Sequence, residues 1–294
     1  MIGELCALCS ALVWASALIL FKRSEGTTPL AQNLFKNVLA IGLLLLTLPL
    51  LGVSMNWQRS PAEWATLALS GLLGIAVADT LFLAALRRMG PGLFAVVECV
   101  YTPTVVLFSA LWLHEPITTR FLVGAAMVVG GVTLANIEPR VLESAVESAA
   151  RAERRVGVAY GLLGIMALAV GIILAKPALE TGELTEVVMV RLVAGVLGLL
   201  TFSLHDPRSA FAAFRPGPQW RTLVPAAILS TYVAMLLWLA GFKYAGVSVA
   251  TVLNQSSTVW TLLFARLFQG EPLSLRRVGG GLAAVAGVVW ILVG

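Results

Sequence analysis

The sequence predicts an all-α integral membrane protein: ten transmembrane helices, arranged as two inverted five-helix repeats around a central cavity. Three observations predict it. The chain has 294 residues, of which 59% are hydrophobic and only 12% charged, against about 25% charged in a soluble domain. Ten apolar stretches each reach the roughly 20 residues that a bilayer-crossing helix needs. A pattern also recurs 156 residues apart: "LHEPITTRFLVGAAMVVGG" (113–131) and "QGEPLSLRRVGGGLAAVAG" (269–287) align Glu115 with Glu271, Pro116 with Pro272, Gly124 with Gly280 and Gly131 with Gly287.

With a mean hydropathy of +0.92, a soluble fold could not cover its surface with polar groups, so lipid is the main solvent. The basic residues stand at the ends of apolar stretches rather than in one patch. They point to topology control and not to nucleic acid. Cys6, Cys9 and Cys99 lie in apolar stretches without metal or disulfide spacing and read as small packing residues. The first stretch has no basic region before it and is followed by Lys22-Arg23, so it reads as a retained helix.

In chain order the stretches are 3–21, 31–51, 64–85, 92–113, 118–136, 157–175, 185–204, 220–241, 247–268 and 273–293. Short connections rich in Pro, Gly and charge separate them, among them "RRMGPG", "HEP" and "QGEP". The charged, Ala-rich segment 137–156 is longer and is expected to form a short amphipathic surface helix. It divides a first five-helix repeat (1–136) from a second (157–294). Further equivalences run through both halves: Trp64 with Trp220, Gly90 with Gly246, Thr102 with Thr258, Phe108 with Phe264 and, at slightly smaller offsets, Lys36 with Arg191 and Lys22 with Lys176. Five is odd, so the second copy enters the membrane from the opposite side, the inverted-repeat pattern of many secondary transporters.

Two five-helix halves, a Glu-Pro corner before the last helix of each and a basic residue early in the second helix of each resemble the EamA-type branch of the drug/metabolite transporter superfamily. The second corner reads Gly270-Glu271, as that family often does; the first reads His114-Glu115. The resemblance implies a ten-helix basket around a cavity and export or uptake of small metabolites such as amino acids. It also implies a first-helix tryptophan, here Trp14.

Fourteen of the twenty basic residues fall on the face holding loops 1–2, 3–4, 5–6, 7–8 and 9–10, and four on the other. The positive-inside rule places the first face in the cytoplasm of a cell (inner) membrane, with both termini outside.

A charge at bilayer depth costs about 2.5–3.5 kcal/mol on insertion scales, so each buried one needs a reason. Asp79 lies about seven residues before the 86–91 corner and Glu98 about seven after it, both roughly 10 Å below the basic face. Lys36 reaches a similar level. These depths predict a Lys36–Asp79–Glu98 cluster. It reads either as a neutralised packing element or as a site where Glu98 or Asp79 changes protonation, with protons as the coupling ion, or holds a substrate ammonium. The corresponding second-half positions are Met235 and Asn254. Glu98 opens the polar run "ECVYTPT", where Pro103 removes a backbone hydrogen bond. The ninth stretch carries Asn254, Gln255, Ser256, Ser257 and Thr258 in a row, which reads as interhelical hydrogen bonding or as a pore-lining face. Asn254 and Glu98 are expected to face a shared axis. Trp14, Tyr101, Tyr232 and Trp238 offer aromatic faces to cargo or pack as core. Lys36 and Arg191 hold a carboxylate or snorkel. Trp57, Trp64 and Trp220 read as interface anchors, and Gly279, Ala283 and Gly287 as a small-residue face for close helix approach.

The expected partners are a small-molecule substrate and the lipid bilayer, with no nucleic acid; monomer and homodimer both fit. An integral membrane enzyme is disfavoured, because the two histidines, His114 and His205, sit at loop edges and no catalytic set, nucleotide motif or cofactor-binding pattern is present. A channel or scramblase would need a continuous polar stripe, whereas polarity concentrates near the fourth and ninth stretches.

Overall fold

The computed structural model describes residues 2–24, 26–53, 55–113, 119–136, 145–245, 253–254, 256–270 and 274–292, and no strand occurs among them. Helices α1 (Ile2–Arg23) and α2 (Pro29–Leu50) are followed by α3 (Pro61–Gly71), a π-helical segment (Leu72–Ala78), α4 (Asp79–Glu98), α5 (Tyr101–Leu113) and α6 (Thr119–Asn136). Then come α7 (Ala145–Thr181), α8 (Leu184–Ser203), a short α9 (Pro207–Ala210) and a 3-10 turn (Ala212–Phe214). The chain ends with α10 (Trp220–Ala227), a second π-helical segment (Ile228–Ala234), α11 (Met235–Ala245), α12 (Ser256–Gln269) and α13 (Leu275–Leu292). Among the described residues, six stretches are long and apolar enough to cross a membrane: Ile2–Arg23, Pro29–Leu50, Pro61–Glu98, Ala150–Ala175, Leu184–Ser203 and Trp220–Trp238.

Local chemistry explains the boundaries. Pro29 starts α2 where a missing N–H costs nothing, and the Thr28 hydroxyl accepts from Ala31 N at 3.2 Å. Ser60 and Glu63 form a capping box ahead of Pro61. Inside α4, Gly90 takes φ +78° and ψ 162° before Pro91, so the chain reverses there and α4 is two helices meeting at a corner. The break at Cys99–Val100 splits the predicted 92–113 helix. Pro103 lies four residues after Cys99, whose carbonyl it leaves without the usual α-helical partner. The predicted surface helix in 137–156 is not separate: from Ala145 it is continuous with α7.

The two π-helical segments correspond residue for residue, since Leu72 and Ile228, like Ala78 and Ala234, are 156 apart. Packing repeats in the same way. The α3–π–α4 run packs on α7, and the α10–π–α11 run packs on α1, while α2 lies along α8 and α4 meets α12. Helices α6 and α13 pack along each other reciprocally. A Cβ added to Gly131 would lie 2.7 Å from Ala284 N, and one added to Gly287 would lie 2.9 Å from Val128 N. Only glycine permits that approach. The small-residue face therefore uses Gly280, Ala284 and Gly287. Gly279 of the predicted face has open space around it, because one residue is about 100° of helix rotation.

Candidate functional site

The site begins on one face of α2. Asn33, Lys36 and Asn37 stand at i, i+3 and i+4, and all three are buried. Opposite them runs the first π-helical segment, whose wider turn displaces carbonyls from the α ladder. Asn33 Nδ2 donates to Ile75 O inside that segment at 2.7 Å and to Thr80 Oγ1 at 2.9 Å. Asp79, the first residue after the π turn, meets Lys36 Nζ at 2.5 Å. Of the expected Lys36–Asp79–Glu98 cluster, Lys36 and Asp79 meet.

Glu98 is not part of it. Its carboxylate instead accepts from Trp14 Nε1, at 3.1 Å to Oε1 and 3.4 Å to Oε2. Sequence depth gives the axial level of a side chain but not its direction, and the Gly90 corner turns Glu98 toward α1. Trp14 connects the two sites: with Lys36 and Asp79 it lines a narrow cleft walled by Leu18, Phe21, Phe82 and Leu83.

A second, partly enclosed cleft lies on the other side of Asp79. It is lined by Gly74, Ile75, Asp79, Leu168, Ile172, Val188, Arg191, Met235 and Trp238. The end of α3 and the π segment lie against α8 here: a Cβ on Gly71 would collide with the Arg191 backbone carbonyl, and one on Gly74 would lie 2.9 Å from Arg191 Nη2. Arg191 is buried, and its Nε has no hydrogen-bond partner among the described residues. Asp79 thus borders both clefts, one reached from α1 and the other from α7, α8 and α11.

The polar run of the ninth stretch divides. The Thr258 hydroxyl donates to Ala95 O at 3.3 Å and lies 3.3 Å from Cys99 Sγ, so it binds α12 to α4. Ser257 is buried. Asn254 Oδ1 and Ser256 Oγ are buried without a partner among the described residues. Gln255 lies outside the described residues, as do the corners Glu115-Pro116 and Glu271-Pro272. The Tyr232 hydroxyl is 2.5 Å from Thr47 Oγ1 and ties the second π segment to α2. Tyr101 packs against the main core, as does Trp220. Trp220 is half-buried: its ring lies 5.7 Å from Phe35, and its Nε1 donates to Ala213 O at 2.9 Å. Trp57 is largely exposed and stacks on Trp64 at 6.1 Å.

A model of the EamA-like transporter family matches residues 1–137 and again residues 155–293. The chain belongs to the EamA-like transporter family. Among solved structures, one titled "Crystal structure of protein" superposes on 99% of this chain and 96% of its own, with a TM-score of 0.70 at 16% identity; that likeness concerns the fold. No curated protein matches the sequence.

In this EamA-like chain, sequence reasoning missed one buried ion pair. Arg59, in the loop before α3, donates from Nε to Glu186 Oε1 at 3.1 Å and from Nη2 to Glu186 Oε2 at 2.7 Å, and both side chains are 2% exposed. Asn56 N adds a third donor to Glu186 Oε1 at 3.3 Å. The pairing raises the Arg59 guanidinium above its ordinary value, chiefly through the hydrogen bond to Glu186, so it stays charged at every working pH. The available signal was an acid two residues into a helix whose only other charged residue is Arg191. Asn33 and Asn37 were also missed, though their spacing from Lys36 marks one polar helix face.

Proposed function

We propose that this chain is a secondary transporter that moves a small metabolite, an amino acid being the first candidate, across the cytoplasmic membrane by alternating access. In this reading ten spans form two inverted repeats (1–136 and 157–294), the basic face is cytoplasmic, both termini are outside and the direction is export. The observation that carries the proposal is the pair of partly enclosed clefts meeting at Asp79, one walled by the first half alone and the other by elements of both halves. A membrane transporter of this family needs a desolvated polar site near the seam of its halves. The matching π-helical segments beside it support the same reading, because a π turn gives a helix a weak point where it can bend.

Glu98 is the proposed coupling group. It is held by Trp14, and no cation pairs with it among the described residues. Asp79, in contrast, is neutralised by Lys36. Taking up a proton would remove the charge assistance from the Trp14 hydrogen bond and so loosen the hold of α4 on α1.

The test is counterflow in proteoliposomes with a panel of labelled amino acids, with and without a pH gradient. Vesicles preloaded with unlabelled substrate should transiently accumulate label, and uptake should saturate. Flux that rises linearly and shows no counterflow would indicate a channel. Glu98→Gln is expected to keep exchange and lose gradient-driven accumulation. Full accumulation by that variant would remove Glu98 from the coupling step.

A further inference from the structure

The two halves of the chain carry one ionic arrangement, and only the first half completes it. Lys36 and Arg191 correspond in α2 and α8, 155 residues apart; Asp79 and Met235 correspond as the first residues after the two π-helical segments, 156 apart. In the first half the cation meets its carboxylate at 2.5 Å. In the second half a thioether stands in the carboxylate's place. Arg191 and Met235 line the same narrow, partly enclosed cleft. Arg191 is only 7% exposed, and its Nε finds no acceptor among the described residues. Asp79 borders that cleft too, but its Oδ2 is held by Lys36.

A guanidinium taken out of water needs an acceptor. Its planar fork suits the two oxygens of a carboxylate better than a spherical anion. The remaining wall here is mostly apolar: Ile75, Leu168, Ile172, Val188, Met235 and Trp238. Such a wall leaves little to balance the second charge of a phosphate. We propose that Arg191 anchors the carboxylate of a small organic acid with an apolar body, which supplies from the cargo the charge that Asp79 supplies within the chain in the first half. Trp238, Ile172 and Met235 receive the body. The inference rests on the transporter reading only in calling the bound acid cargo.

The experiment uses the full chain in nanodiscs and reads equilibrium binding and thermal stability. The probes are 4-methylpentanoate and 3-phenylpropanoate, each beside its primary amide. Wild type should prefer each acid over its amide by about tenfold or more, the range expected for hydrogen bonds to a charged group. Arg191→Gln should lose the preference, and Arg191→Lys should keep part of it. Met235→Asp rebuilds the first-half pair in the second half. It should raise the melting temperature and abolish acid binding, so it carries the test even where Arg191→Gln does not fold. The proposal is overturned if acids and amides bind alike, if Met235→Asp binds the acids as wild type does, or if chloride stabilises the protein as well as they do. Binding of the acids without counterflow would keep this site and remove the transport reading. Counterflow confined to substrates without a carboxylate would do the reverse.

Discussion

The two ends of the α2–α8 pair are closed by different chemistry. At the Leu50 end, Arg59 and Glu186 form a buried two-point ion pair. At the Pro29 end, Phe35 meets Phe214 edge-on at 5.2 Å and Trp220 at 5.7 Å, with Ser209 Oγ reaching Thr28 Oγ1 only at 3.4 Å. A bidentate charge pair is directional and fails abruptly when either partner leaves. An aromatic cluster is non-directional and yields by degrees, because its stability follows buried area. A protein that opened its ends in turn would therefore have one stiff latch and one pliable plug. The cleft beside Arg191 lies between them, since Val188, one of its walls, is two residues inside Glu186.

Breaking the latch should have the largest effect. Glu186→Gln strands Arg59 in a buried position and should cost about 3–5 kcal/mol, read by equilibrium unfolding in mixed micelles. The double variant Arg59→Met with Glu186→Leu should recover most of that loss. If the double variant is no more stable than the single one, the pair is not a self-contained latch. The same single variant should raise the reactivity of a Val188→Cys probe toward an impermeant thiol reagent, in a background with Cys6, Cys9 and Cys99 replaced by alanine; unchanged reactivity would separate the pair from gating.

Phe35→Ala tests the other end. It should cost about 3 kcal/mol, with no second substitution that restores it and with Val188→Cys reactivity unaffected. A loss that a nearby charge substitution rescued would contradict the plug description. Trp220→Phe keeps the ring and removes the Nε1 donor to Ala213 O, so about 1 kcal/mol is expected from unfolding midpoints. Smallest is Ser209→Ala, under about 0.5 kcal/mol. A larger effect there would mean that polar contacts, and not aromatic burial, hold the Pro29 end.

Much of this was legible beforehand, for identifiable reasons. Helix positions could be read because apolar length is a one-dimensional property; α2, α8 and α13 begin and end within about three residues of the stretches read from sequence. The Lys36–Asp79 pair could be read because rise per residue gives depth. Besides Asn33 and Asn37, three things escaped. Glu98 went to Trp14 because direction around a helix depends on the Gly90 corner. The Arg59–Glu186 pair joins residues 127 apart, one of them counted as an ordinary loop charge. The π-helical segments carry no distinctive residue types; the first packs against Asn33 and α7, and the second against α1 and α2.

The sequence by itself determined that the chain is a membrane-embedded helical protein of the EamA-like type, because composition, apolar length and a repeated motif do not depend on how helices turn toward one another. Which buried charges meet was decided only by tertiary structure. A helix can rotate about its axis without changing its sequence pattern, and close glycine contacts such as those of Gly71, Gly131 and Gly287 select one rotation. That selection pairs Lys36 with Asp79 and leaves Arg191 facing a cleft.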